Sequence, residues 1–519
     1  MTTENPSSKV LTLVFTDLKG STSLKAEKGD DIAGQLIARH REHVKRLALT
    51  DGGRIIDWAG DGCFLTFETP SSAVLFALHL QQVHQRENDL PQVYAGINMG
   101  EVMEHEGPDG KDGPPRVEGL AVDTAARIQS LALPSQILMS SAVFNSARQR
   151  LSSSQIDAPM CWEAHGAYLF KDFDDFIPIG EVGIEGFAPL KPPPGNKKVQ
   201  RAVTILEEDT LGWRPATGLS IPGRPEWILS AHLGTGGFGE IWLAADVNTR
   251  VQHVFKFCFQ PDRVQGLKRE VVLLRLLKES LGDREDIARV VDWELEKQPY
   301  YIESEYTEGG DLKNWAKNQG GIDKVPLKTR LELTAQTAEA LSAAHGAGVL
   351  HKDIKPGNIL IHQTDASKTP HVVLADFGIG LLTDLELLKE QDITTMGLTQ
   401  TLVGSSSTAG SGTAIYMAPE LLEGKPPSPQ SDIYSLGVLL YQMVMGDLSR
   451  ALATGWEQNI DDELLREDIA TCVDGKPESR LSDPTQLAER LRSLDERRVQ
   501  LDAETSAREK EQAALIRRQ

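Results

Sequence analysis

The sequence predicts a multidomain α+β protein, and three observations carry that expectation. The chain has 519 residues, more than one module needs. A proline- and glycine-rich interruption falls at 191–227, where KPPPGNKK, GWRP and IPGRPEW break regular structure. The pattern then differs on its two sides. Before it, β-rich runs (10–15, 54–57, 63–67, 93–99) mix with helical ones (32–49, 71–86, 121–132), as packed α and β layers require. After it, 227–305 is strand-rich around one amphipathic helix at 265–279, and helical patterns dominate from Leu312 onward. That split predicts a small sheet lobe followed by a larger helical lobe. Beyond about Leu494 the chain has no proline or glycine and many strong helix formers, so an exposed helical tail is expected. Its apolar residues are too sparse for a heptad seam. It ends without a stop signal, which leaves a continuation past Gln519 open. The expected domains are 9–189, a linker over 190–226, 227–495 and a charged helical tail over 496–519.

A net charge of −21 disfavours nonspecific binding to nucleic acid or anionic membrane, both of which attract clustered Lys and Arg. The four cysteines, Cys63, Cys161, Cys258 and Cys472, are scattered without metal-ligand spacing, and read as reduced intracellular thiols. No secretory signal opens the chain, and its longest mostly apolar stretch, 433–445, is too short for a membrane span of roughly 20 residues. A cytoplasmic protein with no membrane span in this chain is expected.

The strongest motifs follow the interruption. Residues 228–244, ILSAHLGTGGFGEIWLA, place Gly234, Gly236 and Gly239 in a turn between two strand patterns, where the backbone can lie close over phosphates. Alone this is weak, since a flexible hairpin reads the same way. In order behind it come Lys256 in HVFKF, Glu270 on a helix, HKDIKPGN at 351–358, DFG at 376–378 and APE at 418–420. Together these resemble the protein-kinase family in its bacterial Ser/Thr form, over about 227–495. The resemblance implies a bilobal fold, ATP and magnesium or manganese, and protein substrates. It implies Lys256 on the ATP phosphates with Glu270 as its ion-pair partner, Asp353 accepting the substrate hydroxyl proton, Lys355 neutralising the transferred group, and Asn358 and Asp376 holding metal. Glu420 with Arg480, and Asp432, are expected to be scaffold. A pseudokinase is the alternative, although every catalytic position is filled. Lys352 stands where the family has arginine and cannot form the bidentate fork with a phosphate, which puts control by activation-loop phosphorylation in doubt. The Thr-, Ser- and Gly-rich stretch within 376–420 is either a set of autophosphorylation sites or a solvated insert.

In the first domain, LTLVFTDLKGST at 11–22 ends a β-run in Asp17, and IIDWAGDGCFLTF places Asp61 in a turn between two strands. Two carboxylates at adjacent strand ends suit a pair of metal ions gripping a triphosphate; singly, each would be a turn cap. With GLAVDTAARIQSLA at 119–132 and HGAYLFKDF at 165–173, they resemble the class III nucleotidyl (adenylate/guanylate) cyclase family over about 9–189. That resemblance implies a ferredoxin-like α/β sandwich, two metals on Asp17 and Asp61, Arg127 and Lys171 on the triphosphate, and a head-to-tail homodimer that completes the site. Asp172 replaces the glycine that usually follows the closing lysine. The base-reading positions depart from the adenine pattern: Asp57 cannot donate to adenine N1 and Arg116 cannot accept from its amine. An acceptor beside a donor suits guanine or uracil. Asp123 stands where the family has a ribose-orienting asparagine. The chain is therefore expected to join a cyclase-type domain to a kinase, the first domain being either a cyclase or a degenerate, dimerising nucleotide sensor.

Overall fold

Strand β1 (Ser7–Leu18) shows how the first layers form, because its successive side chains enter opposite cores, as a period of two requires. Leu13 packs in the cluster that holds Ala125, whereas Val14 packs in the cluster that holds Val44 and Ala77. The structure is a computed structural model that describes residues 7–20, 24, 26, 28–105, 114–152, 155–156, 158–171, 173, 175–195, 199–201, 212–236, 239–260, 263–363, 369–377, 381–382 and 413–518. Ser21, Thr22, Asp172, Gly378 and the Ser/Thr-rich stretch 383–412, all singled out above, lie outside the described residues. The chain forms two units, Met1–Val264 with Glu296–Tyr301, and Gln265–Leu295 with Ile302–Gln519.

In the first unit, α1 (Asp30–Asp51), β2 (Gly53–Ala59), β3 (Gly62–Phe67), α2 (Pro70–Arg86) and β4 (Val93–His105) follow β1. Next come β5 (Arg116–Glu118), α3 (Leu120–Leu131), β6 (Ile137–Ser140), α4 (Ser141–Arg148), β7 (Met160–Phe170) and β8 (Phe176–Ile184). Asp30 and Asp31 favour the start of α1, whose carbonyls end on a left-handed Gly52; Thr69 caps α2 ahead of Pro70. The strands run β7-β8-β6-β4-β1-β3-β2 across the sheet, and β5 pairs with β4. Residues of α1, α2 and α4 share one core; α3 contributes to the clusters on the other side.

The stretch expected to be a linker is ordered where it is described. Strands β9 (Val199–Arg201) and β10 (Gly212–Trp213) add to β7, and Ala216 and Leu219 enter the core of the first domain. Strand β11 (Ser220–Ile221) then begins a second antiparallel sheet with β12 (Arg224–Gly236), β13 (Gly239–Asp246) and β14 (Gln252–Cys258). Proline breaks helices but suits edges and turns, so a proline-rich run can still dock through the apolar residues between its prolines. Ile221, Trp227, Leu229, Trp242, Phe255 and Phe257 form the core of this second sheet.

The second unit is mainly helical, with α5 (Val264–Leu281), α6 (Leu312–Asn318), α7 (Leu327–Gly346), α8 (Pro419–Leu422), α9 (Pro429–Met445), α10 (Glu463–Val473), α11 (Pro484–Arg492) and the tail helix α12 (Leu494–Arg518). Helix α9 starts on a Ser428–Ser431 capping box and is buried nearly all round, which accounts for the apolar run at 433–445. No described helix is long and apolar enough to cross a membrane.

Arg480 donates from Nη1 and Nη2 to Glu420, 2.8 Å each, with both side chains buried. Burial raises the Glu420 pKa, but Arg480 and Ser431 override it and hold the group below the ordinary carboxylate range. The stabilisation is therefore present above the unfolded pKa, near 4.3, and is lost as pH falls through the lower folded value. Arg480→Met strands the carboxylate and should cost about 3–5 kcal/mol by urea unfolding. The loss should shrink as pH falls, starting above the ordinary carboxylate range, because burial without Arg480 raises the pKa of Glu420 in the variant.

Candidate functional site

The second unit brings three expected groups together. A loop, 351–355, and a 3₁₀ turn, Pro356–Asn358, hold them between β15 (Val349–Leu350) and β16 (Ile359–His362). Lys355 Nζ donates to Asp353 Oδ2 at 2.6 Å, and Asn358 Nδ2 donates to the same oxygen at 3.0 Å and to the Asp353 carbonyl at 2.8 Å. Asp353 Oδ1 is buried with no hydrogen-bond partner. One carboxylate oxygen is thus fixed and the other left open.

The loop is anchored from behind. Buried Asp432 accepts from the His351 and Lys352 backbone N–H groups at 2.8 and 2.7 Å, and His345 Nε2 lies 2.8 Å from it. His351 Nε2 is 3.0 Å from the Ala375 carbonyl, and its Nδ1 accepts from the Asp353 N–H at 3.2 Å, so one tautomer serves both bonds. This ties the loop to Asp376, which adopts φ +64° beside a buried Phe377 that packs on the His351 ring. Lys352 also has positive φ, +69°; burial lowers its pKa, Asp432 opposes that, and Arg269 adds to it. Glu270 on α5 is buried.

In the first unit, β12 and β13 form a hairpin in which Gly236 faces Gly239 across the turn. At Gly239 a Cβ would stand 1.9 Å from the Phe257 carbonyl, so no other residue fits. Gly234 meets no such obstacle. Lys256 lies on β14 opposite Ile241.

The first domain brings Asp17 and Asp61 together at the ends of β1 and the β2–β3 turn. Asp17 accepts from the Leu18 N–H at 3.0 Å and from the Tyr94 hydroxyl at 3.2 Å, while Asp61 Oδ2 is buried without a partner. Burial, then the Asp61 charge, raises the pKa of Asp17; burial and the same carboxylates push Tyr94 up to about 12. Gly62 admits this approach: a Cβ there would lie 2.9 Å from the Thr16 carbonyl and 3.6 Å from Asp17 Oδ1. Two close carboxylates, one with an unpaired buried oxygen, fit a divalent cation.

The other expected groups lie on separate elements. Asp57, exposed on β2, accepts from the Trp58 N–H at 2.8 Å; Arg116, exposed on β5, pairs with Glu118 at 2.6 Å. Strands β3, β1 and β4 lie between them. Asp123 is exposed in the first turn of α3, Arg127 on the same helix lies over the Phe173 ring at 4.8 Å, and Lys171 is exposed just past β7. Sequence reading missed Tyr94, which strand register sets opposite Asp17, and Arg41, which donates to the Gly60 carbonyl beside Asp61. Nothing local marks either residue.

Replacing Asp61 with Asn should relieve the repulsion on Asp17. Without divalent metal, the variant's unfolding midpoint should rise by an amount worth about 1 kcal/mol. With millimolar manganese, the wild type should gain stability and the variant should not, by differential scanning fluorimetry.

Among known proteins, Ser/Thr-protein kinase PkaA of Streptomyces coelicolor is 32% identical over 244 residues, covering 43% of this chain and 40% of that protein. PknA of Mycobacterium tuberculosis is 33% identical over 242 residues, covering 45% and 49%. The chain spans about half or less of the length of these relatives. Among solved structures, the PknI kinase domain of M. tuberculosis matches with TM-score 0.39 at 18% identity, over 54% of this chain and 99% of that one. The adenylyl cyclase CyaB of P. aeruginosa matches with TM-score 0.29 at 21% identity, over 34% and 96%. The protein kinase domain family itself matches residues 227–505, more than half of the chain, and spans both the glycine hairpin and the Asp353 loop. The chain therefore belongs to the protein kinase domain family.

Proposed function

We propose that this chain is a Ser/Thr protein kinase fused to a nucleotidyl cyclase-type domain, with two metal-dependent sites for nucleoside triphosphates. The observation that carries the kinase reading is the Asp353 carboxylate, whose Oδ2 is held by Lys355 and Asn358 while Oδ1 stays open. Oδ1 would accept the proton of a substrate hydroxyl as that oxygen attacks the γ-phosphorus of ATP. Lys355, already 2.6 Å from Asp353, would neutralise charge on the transferred group. Lys256 would hold the α- and β-phosphates with Glu270 orienting it, under the backbone of Gly234, Gly236 and Gly239. Asn358 and Asp376 would hold the metal, which supplies neutralisation of the phosphate oxygens.

In the first domain, Asp17 and Asp61 would hold magnesium or manganese, with Arg127 and Lys171 on the triphosphate. The sites of two chains would be completed across a homodimer. Attack of the ribose 3′-hydroxyl on the α-phosphorus would give a 3′,5′-cyclic nucleotide and pyrophosphate. One observation favours the second reading, a nucleotide sensor without turnover: Arg116, the expected base donor, is engaged by Glu118 at the surface.

The test incubates the purified chain with manganese or magnesium and ATP, GTP, UTP or CTP separately, and follows cyclic products and added phosphate by mass spectrometry. Asp353→Asn should lower phosphoryl transfer about 10³-fold without unfolding the chain, and undiminished transfer would overturn the assignment. A cyclic nucleotide abolished by Asp17→Ala would establish the cyclase and its base. Nucleotide binding that is lost in Asp17→Ala, with no cyclic product, would favour the sensor.

A further inference from the structure

Arg148 ends α4 of the first domain, and its side chain is only 3% exposed. It does not face its own domain alone. Its Nη1 donates to Glu240 Oε2 at 2.7 Å and its Nη2 donates to Glu240 Oε1, a two-pronged pair with the second residue of β13. Its remaining N–H groups are taken by Asn145 Oδ1 and by the Pro215 carbonyl, 2.8 Å away. Glu240 is also gripped from its own strand, by Trp242 Nε1 at 2.9 Å. It directly follows Gly239, faces Thr235 across the glycine hairpin, and on its other side faces Phe257, the neighbour of Lys256.

The segment between the domains reinforces the pair. The Arg214 N–H donates to the Trp162 carbonyl, its guanidinium lies 4.3 Å from the Phe259 ring, and Trp213 meets Phe257 edge-on at 5.4 Å. The glycine hairpin is therefore held beside its turn by a residue of a different domain, 92 positions earlier in the chain.

We propose that Arg148 is a positioning residue for phosphoryl transfer, fixing through Glu240 the hairpin that covers the ATP phosphates and making the first domain part of the kinase's nucleotide site. The inference rests on the kinase reading. Glycine hairpins gain phosphate contacts only when their backbone is held in place, so loosening the turn should weaken ATP capture more than the chemical step. A buried guanidinium–carboxylate pair acts as one unit, so removing either member should have the same effect.

The experiment uses the full chain in an Asp17→Ala background, so that the first domain's metal site does not contribute to nucleotide binding. Arg148→Met and Glu240→Gln should each raise the KM for ATP and the Kd for a fluorescent ATP analogue about tenfold, with kcat within twofold. The double variant should be no worse than either single one, and Arg148→Lys should recover part of the loss. Glu240→Gln keeps an acceptor for Trp242 and serves if Arg148→Met fails to fold. Unchanged KM and Kd in a folded variant would overturn the proposal, as would additive losses in the double variant. A wild-type chain that binds the analogue but transfers no phosphate would remove the kinase reading alone, because the Kd comparison still judges the role of Arg148.

Discussion

A carboxylate buried with one oxygen unpaired is costly, since desolvation is repaid only by a hydrogen bond, a cation or a proton. Both candidate sites are built around such an oxygen, Asp353 Oδ1 in one and Asp61 Oδ2 in the other. Neither arises from poor packing. Asp353 is held by Lys355, Asn358 and a loop pinned to Asp432, while Asp61 stands against Asp17 on glycine-flanked backbone. Two other charged pairs are instead closed on both sides, Glu420–Arg480 and Arg148–Glu240. The contrast separates groups that hold the protein together from groups that keep a coordination position open.

Rigidity around the open oxygens follows from the same need. In water an unpaired lone pair is solvated at once; in a protein it stays available only if neighbouring backbone cannot close over it. Asp432 performs that task with two backbone N–H groups and a histidine, and the positive φ of Lys352 is the local strain that this geometry requires. Here lysine in place of arginine matters less for the backbone, which Asp432 grips through the main chain, than for the side chain, which is largely buried with a lowered pKa.

Much of both sites was legible because their groups sit in short contiguous motifs, whose spacing is set by one turn: 351–358 for Asp353, Lys355 and Asn358, and the Gly-Asp-Gly of 60–62 for Asp61. The α+β layers and the sheet-then-helix order were legible from periodicity. What stayed hidden depends on register between distant strands. Tyr94 reaches Asp17 only because β4 runs antiparallel to β1 with those two residues opposed, and no local pattern encodes that pairing. The order found within 191–227 was hidden for another reason. Its prolines read as punctuation, while Trp213, Ala216, Leu219 and Ile221, too few to show a period, are what tie it to its neighbours.

That segment changes what the fusion of two domains means physically. A flexible tether couples its ends only through effective concentration, so each domain keeps its own conformational equilibrium. A strap that adds a strand to one sheet, places side chains in its core and then starts the next sheet leaves little freedom between them. A change at the Asp17–Asp61 end of the first sheet would reach the glycine hairpin through α4, which ends in Arg148, and through β7, which the strap joins. Coupling of this kind requires no moving linker. It requires only that the first domain have two packings of unequal affinity for its ligand, because packed cores transmit discrete shifts rather than gradual ones.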